Sequence, residues 1–570
     1  MSRRKASPVT TRCFVTLVIT ALHFIDTESL HTAGRTAKEG VIIRDAVGYR
    51  YTEELDDTTR AIASGKYVDA SQTISNCGQL HIQTNGKYTD KEQMFAAGFF
   101  EGFTTAERIH DYWSNTYTYF VKGMNASLPE PLAWLERQEE WARRKVAEHQ
   151  ESSYWQMLGL LFEQFDGIVA GYNARHHMEP DRIPALSRRD FVFVNGNGEL
   201  YDLLEAKSAQ LHSAAPDRIS AAQLYHELAL KGRCSALITV TPDFSNLFMG
   251  HSTWDSYSQM IKLFKHYSFQ LHLPGVAAQR MSFSSYPGEL FSDDDLYMMD
   301  SKMVVLSTTN KMFNTSLYDC LTHESLVSWQ RVRVANALAT SGEEWVSYLD
   351  NLNSGTYNNQ YMVLDLKRFT PGKELPAGLL WVAEQIPGLI ASADLTEQLA
   401  RGYFPSYNIP YFPQVYNQSG LQALRDSLAA RGPEFGNSVA WLSYQLTPRA
   451  TIFRRDAASI STLDDMRRIM RSNSFMTDEL SHGSPLAAVC ARGDLDAALP
   501  DARGCFDTKV SSYELALELQ ADAITGPTTA DGLPPFEWTK EFGSVPHTGM
   551  PKVFDFDFER QRPQPSIAVF

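Results

Sequence analysis

Cys234 and His251 have the side chains of a thiol nucleophile and its neighbouring imidazole, and the residues between them predict that the two meet. The segment from Ser235 to Thr241 has the pattern of a β-strand, Pro242-Asp243 is typical of a turn, and Leu247 to Met249 is a returning apolar run. With the turn centred between Pro242 and Asp243, antiparallel pairing puts position 251 opposite position 234. The sequence therefore predicts a thiol beside an imidazole, although the same residues fit a buried structural thiol beside a packing histidine.

The residues after His251 predict a helix that begins at this site. Ser252, with Asp255 three residues later, is typical of a capping box in which Asp replaces the usual Glu. From Tyr257 to Phe264 the apolar residues have the spacing of an amphipathic helix. The free N–H groups and the positive end of a helix N-terminus suit a thiolate or a developing oxyanion.

Several familiar catalytic motifs are absent from the sequence. It contains no Walker loop, no dinucleotide-binding glycine fingerprint, no Gly-x-Ser-x-Gly elbow and no His-Glu-x-x-His zinc motif. Three consecutive acidic residues, Asp293 to Asp295, could bind a cation or transfer protons, and we interpret them first as a capped, solvated turn. The chemistry of the chain therefore has to be sought around Cys234.

The elements that must carry these residues are of mixed type. From Leu132 to Val169, apolar residues recur at three- and four-residue steps and predict helices. The turn sequence Asn195-Gly196-Asn197-Gly198 lies between two apolar runs and predicts a β-hairpin. Strands are predicted at Ala236 to Val240, Met303 to Ser307 and Tyr361 to Leu366. Because strands and helices do not alternate cleanly, the pattern favours antiparallel or mixed sheets covered by helices.

The composition excludes several classes of protein. With 43% hydrophobic and 21% charged residues, the 570-residue chain is typical of folded globular proteins and not of disordered, collagen-like or polytopic membrane proteins. Its 52 basic and 67 acidic residues give a net charge of −15, so its field repels phosphate backbones and we expect no nucleic-acid partner. No internal repeat or linker marks a domain boundary.

The N-terminus has the pattern of a secretory signal peptide, which we place at residues 1–34. Basic residues precede an apolar segment from Cys13 to Ile25, which is shorter than the ~20 residues that a membrane helix needs. An uncleaved signal anchor is the alternative, and we expect no stable transmembrane span in the mature chain. Sequons at Asn125, Asn314 and Asn417 predict N-glycosylation along this route.

The cysteine count is informative once Cys13 leaves with the signal peptide. The remaining five cysteines are an odd number, so in an oxidising compartment at least one thiol stays unpaired within the chain. Cys490 and Cys505 are close enough in sequence to form a local disulfide. We assign no partner to Cys77 or Cys320. A leftover thiol is either buried and inert or kept for chemistry.

The stretch from Cys234 to Tyr267, CSALITVTPDFSNLFMGHSTWDSYSQMIKLFKHY, resembles the phospholipase B-like proteins, lysosomal or secreted hydrolase relatives with the N-terminal-nucleophile fold. Further segments match in the same order: NCGQLHIQT from Asn76, QMFAAGFFEGFTT from Gln93, FSSYPGELFSDDDLY from Phe283, NSGTYNNQYMVLDL from Asn353, EQIPG from Glu384, SYNIPYF from Ser406, PRATIFRRD from Pro448, DTKVSSY from Asp507, GPT from Gly526 and PPFEW from Pro534. The resemblance covers nearly the whole mature chain, and several long matches in one order are more specific than a short motif.

The resemblance implies an α+β fold, a four-layer αββα sandwich in which two antiparallel sheets lie between helical layers. It also implies cleavage of the Arg233–Cys234 bond, which gives fragments 35–233 and 234–570 that remain associated as one intertwined domain. The cut frees the α-amine of Cys234, whose reference pKa of about 7.7 to 8.0 suits it to act as the base for its own side chain. The bulky Arg233 leaves open whether the cut is autocatalytic or is made by another protease.

By the same resemblance, Cys234 is the nucleophile, His251 orients or polarises the site, and Trp254 provides a wall and a backbone donor. Asn408 in SYNIPYF matches the family's oxyanion-hole asparagine, whose amide donates to the tetrahedral intermediate. The remaining candidates are Asn353 and Asn358, which compete for the oxyanion role, and Thr308, Thr309 and Arg449. Strand hydrogen bonding and a structural salt bridge are the alternative roles for the two threonines and the arginine.

The function implied by the resemblance is hydrolysis of acyl esters of glycerophospholipids through a thioester. An amidase of N-acyl or other linear non-peptide amides is the alternative, since a thiol attacks either carbonyl, and a non-catalytic lumenal or secreted lipid-binding protein is a further one. None of the three requires a cofactor or a metal. We expect a lipid or amide substrate as the partner, leave a homo-oligomer open, and expect the protein in a lysosome-like compartment or outside the cell.

Overall fold

Strands and helices follow one another in blocks in the computed structural model, which describes residues 37–54, 60–211, 220–230 and 232–564. The predicted signal peptide lies outside these residues. The strands are β1 (Lys38–Arg44), β2 (Tyr49–Thr52), β3 (Ala61–Val68), β4 (Cys77–Thr84), β5 (Cys234–Val240), β6 (Leu247–Ser256), β7 (Lys262–Ser268), β8 (Arg280–Ser285), β9 (Leu296–Met299), β10 (Met303–Thr309), β11 (Asn359–Asp365), β12 (Leu380–Ile386), β13 (Leu389–Asp394), β14 (Tyr403–Ser406), β15 (Arg503–Cys505), β16 (Asp507–Ser512), β17 (Ala521–Thr525), β18 (Phe536–Glu537), β19 (Val553–Phe554) and β20 (Glu559–Gln561).

The α-helices lie mainly between β4 and β5 and after β10. They are α1 (Asp90–Thr104), α2 (Ala106–Thr118), α3 (Pro129–Glu148), α4 (Ser153–Met178), α5 (Arg188–Asn195), α6 (Asn197–Leu211), α7 (Ala221–Leu230), α8 (Ser328–Leu338), α9 (Gly342–Asp350), α10 (Thr396–Leu399), α11 (Pro413–Gln418), α12 (Leu421–Arg431), α13 (Gly436–Trp441), α14 (Pro448–Asp456), α15 (Leu463–Arg471) and α16 (Tyr513–Leu517). The helices predicted between Leu132 and Val169 are confirmed as α3 and α4.

Two large sheets hold most of the strands. Among the described residues, one sheet has eleven strands in the order β13-β12-β11-β10-β9-β8-β7-β4-β3-β1-β2. The other has seven, in the order β14-β5-β6-β16-β17-β20 with β15 also paired to β6, and β18 and β19 form a separate ribbon. Neighbouring strands are antiparallel, apart from β4 and β7, which run parallel. The strands predicted around positions 236, 303 and 361 are confirmed as β5, β10 and β11.

The apolar side chains of the strands explain the order of the layers. Along β5, Leu237 packs with residues of α13 and α15, whereas Ile238 packs with residues of β10 and β11 from the other sheet. Successive residues of a strand point to opposite faces, so one face of the sheet meets helices and the other meets a sheet. The eleven-stranded sheet packs its second face against α1 and α4. The four-layer αββα order is therefore confirmed.

The predicted hairpin around Asn195-Gly196-Asn197-Gly198 is wrong. The two flanking apolar runs form α5, which ends at Asn195, and α6, which begins at Asn197. The Asn195 side chain donates to the carbonyl of Gly288 at 3.0 Å and accepts from the amide of Leu290 at 2.8 Å, so it anchors a distant loop. Apolar runs this short have no periodicity that separates a strand from a buried helix.

Cys490 and Cys505 form a disulfide, with their Cα atoms 4.9 Å apart. It fastens the segment after α15 to β15, at the edge of β6. Cys77 and Cys234 are buried free thiols and Cys320 is an exposed one. In the part of the chain that the structure describes, no helix combines the length and the apolar character needed to cross a bilayer.

Candidate active site

Cys234 is the first residue of β5 and pairs with Thr253 of β6, while His251 lies opposite Ala236. The predicted register, with 251 opposite 234, is wrong because the turn spans residues 241–246: Val240 pairs with Leu247. Positions two apart on a strand share a face, so His251 remains a diagonal neighbour of Cys234. The Sγ atom of Cys234 and a ring nitrogen of His251 lie within 4.8 Å of each other.

The helix predicted after His251 is also wrong. β6 continues to Ser256, a short 3-10 turn follows at Tyr257–Gln259, and β7 begins at Lys262. Ser252 donates its hydroxyl to the carbonyl of Met470 at 2.7 Å and caps nothing. The strand persists because β15 pairs with it as well, with Cys505 opposite Trp254. No helix dipole acts on Cys234 from this segment.

A backbone N–H of β6 faces the peptide bond between Arg233 and Cys234. The amide of Trp254 donates a hydrogen bond to the carbonyl oxygen of Arg233. The same amide lies close enough to the Cys234 thiol to favour its ionised form. The indole Nε1 of Trp254 donates to the carbonyl of Val489 at 3.2 Å, which fixes the ring. A fixed N–H aimed at a carbonyl oxygen is the arrangement that stabilises an oxyanion.

Arg449 holds the beginning of β5 in place. Its fully buried guanidinium donates to the carbonyl oxygen of Cys234, to that of Tyr407 at 2.8 Å and to Oδ1 of Asn408 at 2.8 Å. It also donates to the Ser235 hydroxyl at 3.2 Å, so its partners are carbonyls, an amide and a hydroxyl, whereas the salt bridge weighed for it would need a carboxylate. Burial lowers the pKa of Arg449 to about 9.

Asn408 links Arg233 to the eleven-stranded sheet. Its Oδ1 accepts the amide of Arg233 at 3.1 Å, and its Nδ2 donates to the carbonyl of Thr309 at 2.9 Å. Its backbone has a φ of 68°, a left-handed conformation that Asn tolerates better than most residues. Asn408 therefore positions Arg233, and one of its amide hydrogens already has a carbonyl partner.

Of the other candidate residues, one lines the cavity beside Cys234 and three do not. Thr309 lines the cavity beside Cys234, and Thr308 shares a hydrogen bond of 2.7 Å with Ser406, which joins β10 to β14 across the two sheets. Asn353 donates to the carbonyl of Ile386 at 3.4 Å, and Asn358 donates to that of Gly355 at 2.9 Å. These two asparagines stabilise a loop, and neither lines the cavity.

Asp295 is the residue at the site that the sequence reasoning missed. The interpretation of Asp293 to Asp295 as a solvated turn is wrong, since Asp294 and Asp295 are buried. Oδ2 of Asp295 lies 4.0 Å from Nε2 of His251, and Oδ1 accepts the Ser307 hydroxyl at 2.6 Å. Its φ of 64° is in the left-handed region, which Asp adopts more readily than most residues other than Gly. Acidic residues enclosed by apolar ones, as in FSDDDLY, were the available signal.

Two lysines and two aspartates form a buried network behind the site. Lys509 Nζ contacts Asp507 Oδ1 at 2.8 Å and Asp294 Oδ2 at 3.6 Å. Lys262 pairs with Asp294 and with Asp507 Oδ2, the latter at 3.1 Å. The two cations hold the pKa of Asp294 far below its usual range, although burial alone would raise it. The network joins β7 of one sheet to β16 of the other.

The Cys234 thiol and the His251 imidazole are both neutral, because both side chains are buried. Burial, reinforced by the nearby Asp295, raises the pKa of the Cys234 thiol. Burial together with the charge of Lys509 keeps the pKa of His251 well below its usual value. A neutral thiol becomes a strong nucleophile only when a base takes its proton, and the neutral imidazole of His251 lies within 4.8 Å of the sulfur.

Cys234 opens onto a cavity of about 570 Å³. Its wall mixes aromatic side chains with charged ones of both signs. The lining includes Tyr201, Asp202, Glu205, Lys207, Arg233, Asp255, Asp293 and Arg503. Arg233 forms an ion pair with Asp255 and lies 3.5 Å from the centre of the Tyr201 ring. A cavity of this size with convergent polar groups is typical of a small-molecule site.

The three sequon asparagines differ in exposure. Asn125 and Asn417 are exposed, and Asn125 lies at the wall of the cavity. Asn314 is half-buried, and its Nδ2 donates to the carbonyl of Gln418 at 3.1 Å. A glycan at Asn125 would border the opening to Cys234, whereas one at Asn314 would require that hydrogen bond to break.

The chain is similar to known proteins in sequence and in structure. A family model described as "Phospholipase B" matches residues 63–561. Phospholipase B-like 1 of Rattus norvegicus is 38% identical over 545 residues, 95% of this chain and 92% of that protein. Phospholipase B of Crotalus adamanteus is 36% identical over 505 residues, 88% of each chain. Among solved structures, a mutant of the conjugated bile acid hydrolase from Clostridium perfringens matches with a TM-score of 0.29 and 12% identity, over 51% of this chain and 89% of that one. The region matched by the family model includes every residue of the candidate site.

Proposed function

Because this chain belongs to the phospholipase B family, whose model spans residues 63–561, we propose that it is a hydrolase with an N-terminal cysteine nucleophile. The nucleophile is Cys234, exposed by a cut at the Arg233–Cys234 bond, and the substrates are acyl esters of glycerophospholipids. One observation carries the proposal: the Cys234 thiol, the Arg233 carbonyl and the Trp254 amide meet at the wall of a cavity.

The cut begins when the sulfur of Cys234 attacks the carbonyl carbon of Arg233. The thiol proton passes to the neutral imidazole of His251, and the Trp254 amide stabilises the oxygen as it gains charge. The carbon–nitrogen bond then breaks, and the proton goes to the nitrogen of Cys234, which leaves a thioester and a free amine. Water hydrolyses the thioester to the carboxylate of Arg233 and restores the thiol.

After the cut, the freed α-amine is the base for each turnover. It accepts the thiol proton as sulfur attacks the acyl carbonyl of the substrate, and it returns the proton to the leaving alcohol. Water then releases the fatty acid from the thioester. Before the cut this nitrogen is an amide and accepts no proton, which explains why cleavage would activate a thiol whose pKa burial raises.

The sheet architecture favours fragments that stay together after the cut. β4 precedes the cut and β7 follows it, yet the two pair in parallel from Cys77 with Lys262 to Gln83 with Ser268. The core between the eleven-stranded sheet and its helices contains residues from both sides of the cut. Separating the fragments would expose this core to water, at a large cost in free energy.

A second candidate is hydrolysis of linear N-acyl amides, whose polar leaving group the charged wall of the cavity would also accommodate. Asp202, Glu205 and Lys207 would contact a polar leaving group better than a bare acyl chain. Thiol attack and a thioester serve both substrates equally. Parallel assays with a phospholipid and an N-acyl amine separate the two, because the true substrate should have the higher kcat/KM.

The first experiment is intact mass and N-terminal sequencing of the protein purified from its secretory route, before and after incubation at about pH 5. We expect a fragment that begins at Cys234. Such a fragment makes substrate screening worthwhile and supports a lysosome-like compartment as the destination. A single uncut chain after acid and protease treatment would instead favour the non-catalytic lipid-binding alternative.

We predict that the KM for an anionic phospholipid falls as the pH drops from 8 to 5. Burial raises the pKa of Asp202 to about 6 and that of Asp293 to about 7, so both carboxyls gain protons over this range. The wall then carries fewer negative charges, and an anionic headgroup binds more tightly. A change of about fivefold corresponds to roughly 1 kcal/mol of charge interaction. The measurement is KM against pH, separated from kcat, which follows the α-amine.

The matched variant for this prediction is Asp202→Asn, which removes one of the two titrating charges. At pH 8 its KM should be lower than that of the parent, and its KM should change less between pH 8 and pH 5. The exposed Asp319→Asn serves as a control and should behave as the parent does. An unchanged pH dependence in Asp202→Asn would contradict the assignment of this effect to the cavity wall.

A further inference from the structure

The buried network of two lysines and two aspartates is balanced in charge on its own. Cys234 and Asp295, which lie beside His251, are not part of that balance. Lys262 and Lys509 are the cations, and Asp294 and Asp507 are the anions with which they pair. Asp295 is left over: within the described residues, its ion-pair partner is His251, and no lysine or arginine pairs with it. An ionised Asp295 and an ionised Cys234 would together need two positive charges.

A thiol, an imidazole and a carboxyl group, which are side chains that can bind a metal ion, lie close together beside Cys234. One atom each from Cys234, His251 and Asp295 lies within 4.8 Å of the others, and all three residues are buried. Nε2 of His251 is fully buried and makes no hydrogen bond in the described part of the chain. Thiolate sulfur, imidazole nitrogen and carboxylate oxygen are the ligands that zinc takes in proteins.

The surroundings hold these side chains as outer partners hold metal ligands. Oδ1 of Asp295 accepts the Ser307 hydroxyl at 2.6 Å, which leaves Oδ2 facing His251. The Tyr357 hydroxyl lies between the two carboxylate oxygens, 3.4 Å from Oδ1 and 3.5 Å from Oδ2. Outer hydrogen bonds of this kind orient a ligating carboxylate and raise the affinity of the site. Of the three ligand residues, Cys234 borders the cavity, so a water ligand would reach the metal from that side.

We propose that Cys234, His251 and Asp295 form a zinc-binding site in the uncut chain. Binding would form bonds from zinc to the sulfur, to Nε2 and to Oδ2, and would release to solvent both the thiol proton and the proton that burial favours on the Asp295 carboxyl, whose pKa it raises. A bound dication neutralises the thiolate and the carboxylate that the lysine network leaves unpaired. Because the sulfur is then coordinated, zinc would hold the nucleophile inactive. The site is inhibitory, and the hydrolysis proposed above needs no metal.

The test is the zinc affinity of the full uncut chain, measured by competition with a chromophoric chelator. Cys320→Ser is the background, since Cys320 is an exposed thiol that could bind metal on its own. We expect one zinc ion per chain and a loss of affinity of at least about 100-fold in Cys234→Ala. Ser307→Ala keeps all three ligands and should lose about 10-fold to 100-fold. Cys77→Ala, which removes the other buried free thiol, should bind zinc as the background does.

Cobalt provides a readout that does not depend on activity or on affinity. Co²⁺ in the site should give the charge-transfer absorption of a thiolate ligand, and Cys234→Ala should not. The proposal would be overturned if the background binds no zinc, or if Cys234→Ala and Ser307→Ala both bind it as tightly as the background. Because these measurements use the uncut chain, their failure would leave the proposed hydrolase untouched, and failure of the hydrolase would leave them valid.

Discussion

Cys234→Ala should abolish both the cut before residue 234 and hydrolysis of any substrate. Without sulfur there is no attack on the Arg233 carbonyl, so no α-amine appears, and no thioester forms with a substrate. Loss of the nucleophile in an enzyme of this kind lowers kcat by at least about 10⁴-fold. The measurements are intact mass for the cut and kcat/KM for hydrolysis.

The substitution removes only one sulfur atom, so the fold should persist. The side chain is 4% exposed and its loss leaves a small cavity, which costs about 1 kcal/mol of unfolding free energy. Cys77→Ala is the matched control, because Cys77 is also a buried free thiol at the beginning of a strand, and it should cut and hydrolyse normally. Hydrolysis that survives in a folded Cys234→Ala protein would rule out Cys234 as the nucleophile. A cut that survives while hydrolysis is lost would assign the cut to another protease.

The family and the layered fold were predictable from the sequence because long ordered matches carry information that single motifs lack. β5 was predictable too, since Ser235 to Val240 is an unbroken strand-like run. Its register was not, because the length of the turn at 241–246 depends on contacts made elsewhere. The false helix after His251 has the same cause: β15, far along the chain, pairs with β6 and keeps it extended.

The missing part of the site is electrostatic. The apolar neighbours in FSDDDLY hint at burial, but they do not show what compensates Asp294, because its lysine partners lie on β7 and β16, far from it in sequence. Once the sheets pack, those lysines compensate Asp294, and Asp295 turns to His251. Burial of a carboxylate is tolerated only with such partners. A one-dimensional pattern shows the acidic residues but not the cations that pair with them.

Lys509→Met should be the most destabilising single substitution near the site. Its Nζ donates at 2.8 Å to the Thr253 hydroxyl, to the Asp294 carbonyl and to Oδ1 of Asp507. Without it, Lys262 alone faces two buried carboxylates. Removing one partner from a buried ion network costs about 3 to 5 kcal/mol of unfolding free energy. Urea denaturation measures the loss. Lys552→Met, whose exposed ammonium pairs with Glu537 at 3.1 Å, should change the free energy by at most about 1 kcal/mol.

Two further measurements show whether the lost charge causes the instability of Lys509→Met: its unfolding free energy at acidic pH and that of a double variant. Because the folded pKa of Asp294 is depressed, its stabilising contribution is present above the unfolded value of 3.8 and is lost only as the pH falls through the folded value. The cost of Lys509→Met should therefore be as large at pH 5 as at pH 7. Adding Asp507→Asn restores the balance of one cation to one anion and should recover at least about 1 kcal/mol. A double variant as unstable as the sum of the two single ones would mean that Lys509 acts by packing, and that the network carries no coupled charge.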